Sequence, residues 1–464
     1  MNLKERVLRK ESLSRYITKD NRFVKTLGAG DLIALGVGAV IGAGIFILPG
    51  TVAAMHTGPS IVLSFILAAI VCSTAALCYA EFSAALPIAG SAYSFGTVVF
   101  GEIVGWFLGW ALILEYMLAV AAVSTGWSAY FKSFLLGFGV QIPKALSGNF
   151  DPANGTYINL AAVLIILLIS FMLSKGVKSS IRINNIIVLV KIAIIIIFLI
   201  VGAFYIKPAN WQPFMPFGVN GIFVGASSVF FAYLGFDVVS ASAAEVKNPR
   251  KNMPLGILGT LVICTILYIL VSIVLTGMIS YTKLNVADPV AFALQAVNQN
   301  WVAGIISIGA LAGMFTMMVT MIYSSSRLIY SIGRDGLLPD FLGRINSKSH
   351  TPNNSMLVVT IIIATLGGLV SLNQLANLVN IGTLIAFTFV SFGIIPLRKR
   401  TDISHDGFKV PFYPILPIIS GVLCIIMMTR LSAETWVASI LWFIIGMVLY
   451  FTYGIKHSKL ESEK

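Results

Sequence analysis

Residues 36–50 read GVGAVIGAGIFILPG, an apolar run with glycine at 36, 38, 42, 44 and 50 and Pro49 beside the last. Glycine inside a helix costs about 1 kcal/mol relative to alanine. The G-A-G-I-F cluster therefore predicts a membrane helix that unwinds near Gly42 to Gly44. Close helix packing through small residues is the competing reading, and for Gly36 alone it suffices. A second interruption lies at residues 230–246, FFAYLGFDVVSASAAEV, where Gly235 and the acidic Asp237 break an otherwise apolar run. Paired interruptions, one in each half of a membrane chain, are the best sequence pointer to a binding site at the bilayer midplane.

The surrounding chain fits that setting. Of 464 residues, 58% are hydrophobic and 11% charged, with a mean hydropathy of +0.92. Soluble domains carry about 25% charged residues, so a water-soluble fold is excluded. A helix crossing roughly 30 Å of hydrocarbon needs about 20 mostly apolar residues. Twelve stretches qualify, near residues 31–57, 60–87, 98–131, 157–174, 181–206, 218–242, 254–279, 301–330, 355–372, 374–396, 410–430 and 434–455. The expected fold is an all-α membrane protein of about twelve spans. A polar tail at 1–30 precedes a ten-span core at 31–400, and spans eleven and twelve (401–455) and a tail at 456–464 follow. Five spans per half is an odd number, so the second half (218–396) should insert upside down relative to the first (31–206).

Orientation follows from lysine and arginine, which are retained on the cytoplasmic side of spans. With the N-terminus inside, 25 of the 31 fall in cytoplasmic segments and five (Lys132, Lys144, Lys207, Lys283, Arg430) in external ones. Lys191 lies within span five. Both termini are thus expected inside, with no cleaved signal, because residues 1–25 are polar and basic. The net charge of +13 is scattered through short connectors, which argues against a nucleic-acid partner. The basic N-tail can meet anionic headgroups of membrane lipids. In the external connector 281–300, AFALQAV (291–297) has helical spacing, which suits a short surface helix over the site or a plain connector.

Where a helix breaks, freed N–H groups attract a carboxylate and freed carbonyls attract an ammonium. A break offering both complements the zwitterionic end of an α-amino acid. Charges inside spans need a partner or a purpose. Lys191 follows Ile181 by ten residues, about 15 Å along a helix, which puts it near the midplane. It either bonds helix-end carbonyls structurally or replaces a bound sodium ion and couples transport to protons. Glu115, with Tyr116, lies midway along span three, and Asp237 lies just past the second break. Either acid can face a positively charged substrate group or balance Lys191. Glu81, Glu102 and Glu245 fall at span ends, where interfacial solvation is favoured over gate contacts. Phe231, Tyr268 and Met321 read, by themselves, as core residues.

GAVIGAGIF, CYAEFSAALPIAGSAY (78–93) and FFAYLGFD together resemble the amino acid-polyamine-organocation superfamily of permeases, within it bacterial homologues of the cationic amino acid transporters. The resemblance spans about residues 25–455. It implies a LeuT-type fold of inverted five-helix repeats with helices one and six broken. It implies further that backbone amides at Gly42, Ala43 and Gly44 hold the substrate carboxylate, and that carbonyls around Phe231, Ala232 and Leu234, with Val40 and Ile41, hold the amino group. Phe231 resembles the family's aromatic gate and Lys191 the lysine at the sodium-site position of proton-linked members. Glu115, Tyr116, Asp237, Tyr268 and Met321 correspond to positions around the side-chain pocket. Ala43 departs from the G-T-G common in close bacterial relatives, removing a hydroxyl whose hydrogen bond is worth about 1 kcal/mol net.

The function expected is import of L-amino acids, cationic or small neutral, across the plasma membrane, driven by protons. An exchanger, a polyamine permease and a non-transporting sensor are the alternatives, and a small membrane subunit stays open as a partner. Four histidines (His56, His350, His405, His457) and four cysteines (Cys72, Cys78, Cys264, Cys424) form no ligand or nucleophile constellation. No enzyme, metal or cofactor is therefore expected. A channel's repeated pore motif is missing as well.

Overall fold

The computed structural model describes residues 25–88, 90–176, 181–346, 349 and 351–459. The N-tail to residue 24, His350 and the last five residues lie outside these. Among the described residues, eight helices are long and apolar enough to cross a membrane, and four shorter apolar helices join them. Apolar side chains line the outside: Leu164, Leu168, Leu189, Val262, Ile361 and Ile444 are each more than half exposed. A soluble protein hides such a surface, and a lipid-facing one presents it.

Span one comprises Ala29–Val40, Ala43–Phe46, Leu48–Val52 and Ala53–Thr57, and span two is Ile61–Ala85. Spans three, four and five are Glu102–Leu136, Leu160–Ser174 and Ile181–Ala203. Span six comprises Gly218–Val229, Phe230–Tyr233 and Phe236–Ala241. Spans seven to ten are Pro249–Met278, Asn300–Arg334, Asn353–Leu369 and Leu372–Arg398. Spans eleven and twelve are Ile415–Met428 and Ala433–Leu449, the latter continued through Tyr450–Gly454 to Ile455–His457.

Packing follows a rule of five. Span two packs on seven, three on eight and four on nine. Other contacts among the first ten spans come in matched pairs: one with seven and six with two, five with eight and ten with three, five with seven and ten with two. For these pairs, adding five to a span number returns an observed contact, as two copies of one five-helix unit would give. An odd number of crossings makes the second copy run in the opposite sense.

Three span starts differ from expectation by four or five residues. Span three begins at Glu102 rather than residue 98, because Gly101 takes a φ of 115°, which stops the helix before it. The residues ahead of it form a separate helix, Ser91–Val99. Span seven starts at Pro249 and carries Pro254 within it, so the first proline, not the second, opens the helix. Span eleven starts only at Ile415, because Pro411 and Pro414 hold the preceding chain out of helix.

Candidate functional site

The first half of span one ends at Val40, and Ile41 (φ −76°, ψ 95°) and Gly42 (φ −133°, ψ −138°) leave the helix before Ala43 resumes it. Interrupting the ladder frees carbonyls on one side of the break and N–H groups on the other. Lys191, 1% exposed, donates from Nζ to Gly38 O at 3.0 Å and Ile41 O at 3.1 Å. The second half is anchored at Phe46, whose carbonyl accepts from the Tyr130 hydroxyl at 2.9 Å.

Span six loosens into the 3-10 turn Phe230–Tyr233, extends at Leu234 (φ −64°, ψ 144°), turns left-handed at Gly235 (φ 108°) and resumes at Phe236. A side chain at Gly235 meets two obstacles: the positive φ disfavours it, and a Cβ would lie 3.0 Å from the carbonyl carbon and oxygen of Ala39. The two breaks touch. A Cβ on Gly44 would stand 2.6 Å from Ala232 Cα and 2.7 Å from its Cβ. The Tyr268 hydroxyl lies 2.6 Å from Ala232 O and 3.2 Å from Val40 O, spanning one freed carbonyl from each break. Residues 36–50 and 230–240 are buried throughout.

Val40, Ile41, Gly42, Ala43, Gly44, Phe231, Ala232, Leu234, Tyr268 and Lys191 thus gather at the facing breaks. Ala43 turns its methyl toward span three, 3.1 Å from where a Cβ on Gly126 would be. Beside the breaks, Tyr116 donates to Asp237 Oδ2 at 2.8 Å. Among the described residues, Asp237 Oδ1, both carboxyl oxygens of Glu115 and the Tyr79 hydroxyl are buried without a hydrogen-bond partner. These acceptors, from spans two, three and six, are open to a donor-bearing group. Met321 is buried in span eight. Tyr79 and Met317 escaped the sequence reading, and Met317 sets its sulfur against the bare face of Gly42. The available signal was methionine at 314, 317 and 321, spacing that shares one helix face.

The acids at span ends correct an expectation. Glu81, 2% exposed, takes a bidentate pair from Arg398 at 2.7 and 2.8 Å and a further bond from Val410 N at 2.6 Å. Glu102 is fully buried and accepts from Tyr450 at 3.0 Å and Ser458 at 2.7 Å. Interfacial solvation fails for both because distant segments fold over them. Glu245 is half-buried, and its carbonyl accepts from Thr26 N and Leu27 N, tying the chain before span one to the end of span six. The connector after span seven does contain a helix, Pro289–Ala296, and Pro289 packs on Gly50 of span one. All four cysteines are buried and free.

Comparison with known proteins agrees with this architecture. The family model described as amino acid permease matches residues 27–451. A methylthioribose transporter of Bacillus subtilis is 51% identical over 97% of this chain and 98% of its own. A branched-chain amino acid permease of the same organism is 46% identical over 99% and 100%. A vacuolar cationic amino acid transporter of Arabidopsis thaliana is 35% identical over 84% and 67%. The relatives are named as permeases and transporters, not enzymes. With twelve apolar segments, two facing helix breaks and a match over nearly its whole length, the chain belongs to the amino acid permease family and is a multi-pass membrane protein.

Proposed function

We propose that this chain is a secondary active transporter that carries L-amino acids, cationic or small neutral, across the plasma membrane by alternating access, coupled to protons. The supporting observation is the contact between the two breaks, Gly44 against Ala232. Amides at Gly42, Ala43 and Gly44 would take the carboxylate, and carbonyls at Val40, Ile41, Phe231, Ala232 and Leu234 the ammonium. Phe231 would gate the site, while Tyr116, Asp237, Tyr268 and Met321 would line it. Spans one to ten form the transport core, and both termini face the cytoplasm, in keeping with the distribution of lysine and arginine.

Coupling would run through Lys191, with Glu115 as a second proton-handling group. As an ammonium, Lys191 bonds the Gly38 and Ile41 carbonyls and pins the end of span one's first half to span five. Losing a proton removes the charge from both bonds and loosens that hold. The same geometry fits a purely structural lysine, so the test must read energetics. Lys191→Met is expected to bind substrate yet lose accumulation driven by a pH gradient in proteoliposomes. Gradient-driven uptake at the wild-type level would remove Lys191 from coupling, and gradient-independent counterflow in the wild type would favour an exchanger.

A second reading rests on the relative named as a methylthioribose transporter. That thio-sugar has neither ammonium nor carboxylate, and its hydroxyls would suit the unpartnered acceptors of Glu115 and Asp237. Thermal stability of the purified protein against the twenty amino acids, common polyamines and methylthioribose separates these substrates, since a bound ligand stabilises by mass action. Stabilisation by an amino acid is expected. Silence from every amino acid, with a response to methylthioribose, would overturn the proposal, and binding without uptake would mark a sensor.

A further inference from the structure

Span eight presents one row of residues, four apart, to spans five and one. At Gly309 an added Cβ would meet the side chain of Ile194. At Gly313 it would meet the stem of Lys191, with Cε at 3.2 Å and Cδ and Cγ at 3.5 Å. One turn further the row changes from notch to projection, because position 317 is methionine. The three atoms nearest a Cβ on Gly42 all belong to Met317: Sδ in contact, Cγ at 3.5 Å and Cε at 3.6 Å. Met317 is 3% exposed. Met314 continues the face, with Sδ 3.6 Å from the Cβ position of Gly126, itself against Ala43.

We infer that Met317 determines substrate selectivity at the first break, by limiting the bulk allowed on the carbon next to the substrate carboxylate. The inference rests on the amino acid reading and deepens it. A carboxylate seated on the amides of residues 42–44 would carry its Cα beside Gly42, whose open face Met317 covers with its thioether. An unbranched side chain with three rotors and a polarisable sulfur adapts its shape without offering charge or a strong hydrogen bond. It therefore admits apolar substituents of graded size. The glycine at 42 and the methionine at 317 are complementary, since any side chain at 42 would claim the space the sulfur fills.

The test is proteoliposome uptake of glycine, alanine, valine and leucine by wild type, Met317→Ala and Met317→Phe. Truncation to alanine is expected to shift the KM ratio of small over bulky substrates about tenfold in favour of the bulky ones, the scale of discrimination an apolar pocket supplies. KM should move more than kcat, and Met317→Phe should shift the ratio the other way. Met317→Val, if the alanine variant is too unstable, should move it in the alanine direction by less. Met356→Ala, at a buried methionine of span nine, controls for lost packing: it should lower thermal stability and leave the ratio unmoved. Wild-type uptake with a ratio constant within about twofold across the Met317 variants overturns the inference alone, since one methylene in such a pocket already exceeds that. A wild type that takes up none of these, or any other amino acid, removes the substrate reading and this inference with it.

Discussion

At Gly44 a missing methyl group decides whether two helices can meet. A Cβ there would lie 2.6 Å from Ala232 Cα, and the neighbour is backbone of a break that cannot rotate away. Overpacking of this kind costs about 1–3 kcal/mol, relieved only by moving the breaks apart. Gly44→Ala is therefore expected to insert and purify as a folded protein while losing substrate-induced thermal stabilisation. A full ligand shift in that variant would mean that the approach of Gly44 to Ala232 does not matter to binding. Lys191 makes the complementary point. Its two carbonyl partners exist only because the helix ends at Val40, so the residue and the break each satisfy a group that the other would leave buried and unpaired.

Between elements, side chains rather than loops hold the spans in register. Trp106 and Trp110 of span three donate to the Gly446 and Trp442 carbonyls of span twelve, and Trp442 returns a bond to Trp110 O. The end of span twelve then reaches Glu102 through Tyr450 and Ser458, while Lys459 pairs with Asp340 at 3.0 Å. Glu102→Ala is expected to free this end and speed proteolysis of the C-terminal segment, with the rest of the chain protected. Unchanged cleavage would show that the tryptophan bonds suffice. Glu81 and Arg398 join spans two and ten. Arg398 is 21% exposed, so removing Glu81 costs up to about 3 kcal/mol, the figure for a fully buried pair whose other member is left uncompensated. Glu81→Ala should lower the melting temperature sharply, and Glu81→Leu with Arg398→Met should recover much of the loss. Equal destabilisation by the single and the double change would point to Val410 N as the partner that matters.

For the whole molecule, the matched contacts of spans one to five and six to ten create two related halves, with one break each and the breaks in contact. On the transporter reading proposed above, two copies of opposite sense would give a site that each half could close from its own side, the geometric condition for alternating access. The helix Pro289–Ala296, in the connector expected outside, packs on the second half of span one through Pro289 and Gly50, and its N-cap residue Asp288 is expected to make that docking pH-dependent. Burial pushes the Asp288 carboxyl above its ordinary range, against the opposing pull of Ser133 and Lys132. A raised value means that docking favours the neutral acid. Its contribution is complete below about pH 3.8 and is lost as pH rises through the folded value. The protection factors of residues 284–297, the base-catalysed intrinsic rates at each pH divided by the observed exchange rates, should therefore fall between pH 4 and pH 7 in the wild type, and Asp288→Asn should flatten that change. A variant that keeps the wild-type pH profile would exclude Asp288 as its source.

Twelve spans, a helix broken at Gly42 and another at Gly235 were legible from the chain itself, because hydrocarbon permits no unsatisfied backbone and leaves local composition to decide what crosses and where it can unwind. Lys191 was legible for the same reason, since a charge so far from any span end has to be held by something. What lay beyond sequence was everything made by residues distant along the chain: the partners of Glu81 and Glu102, the Tyr268 hydroxyl across two carbonyls, and the sulfur of Met317 on Gly42. Glu81 looks like a solvated end until Arg398, more than 300 residues later, folds onto it. Local chemistry sets which backbone groups come free at a break, whereas only the packing of ten helices decides which side chains stand in front of them.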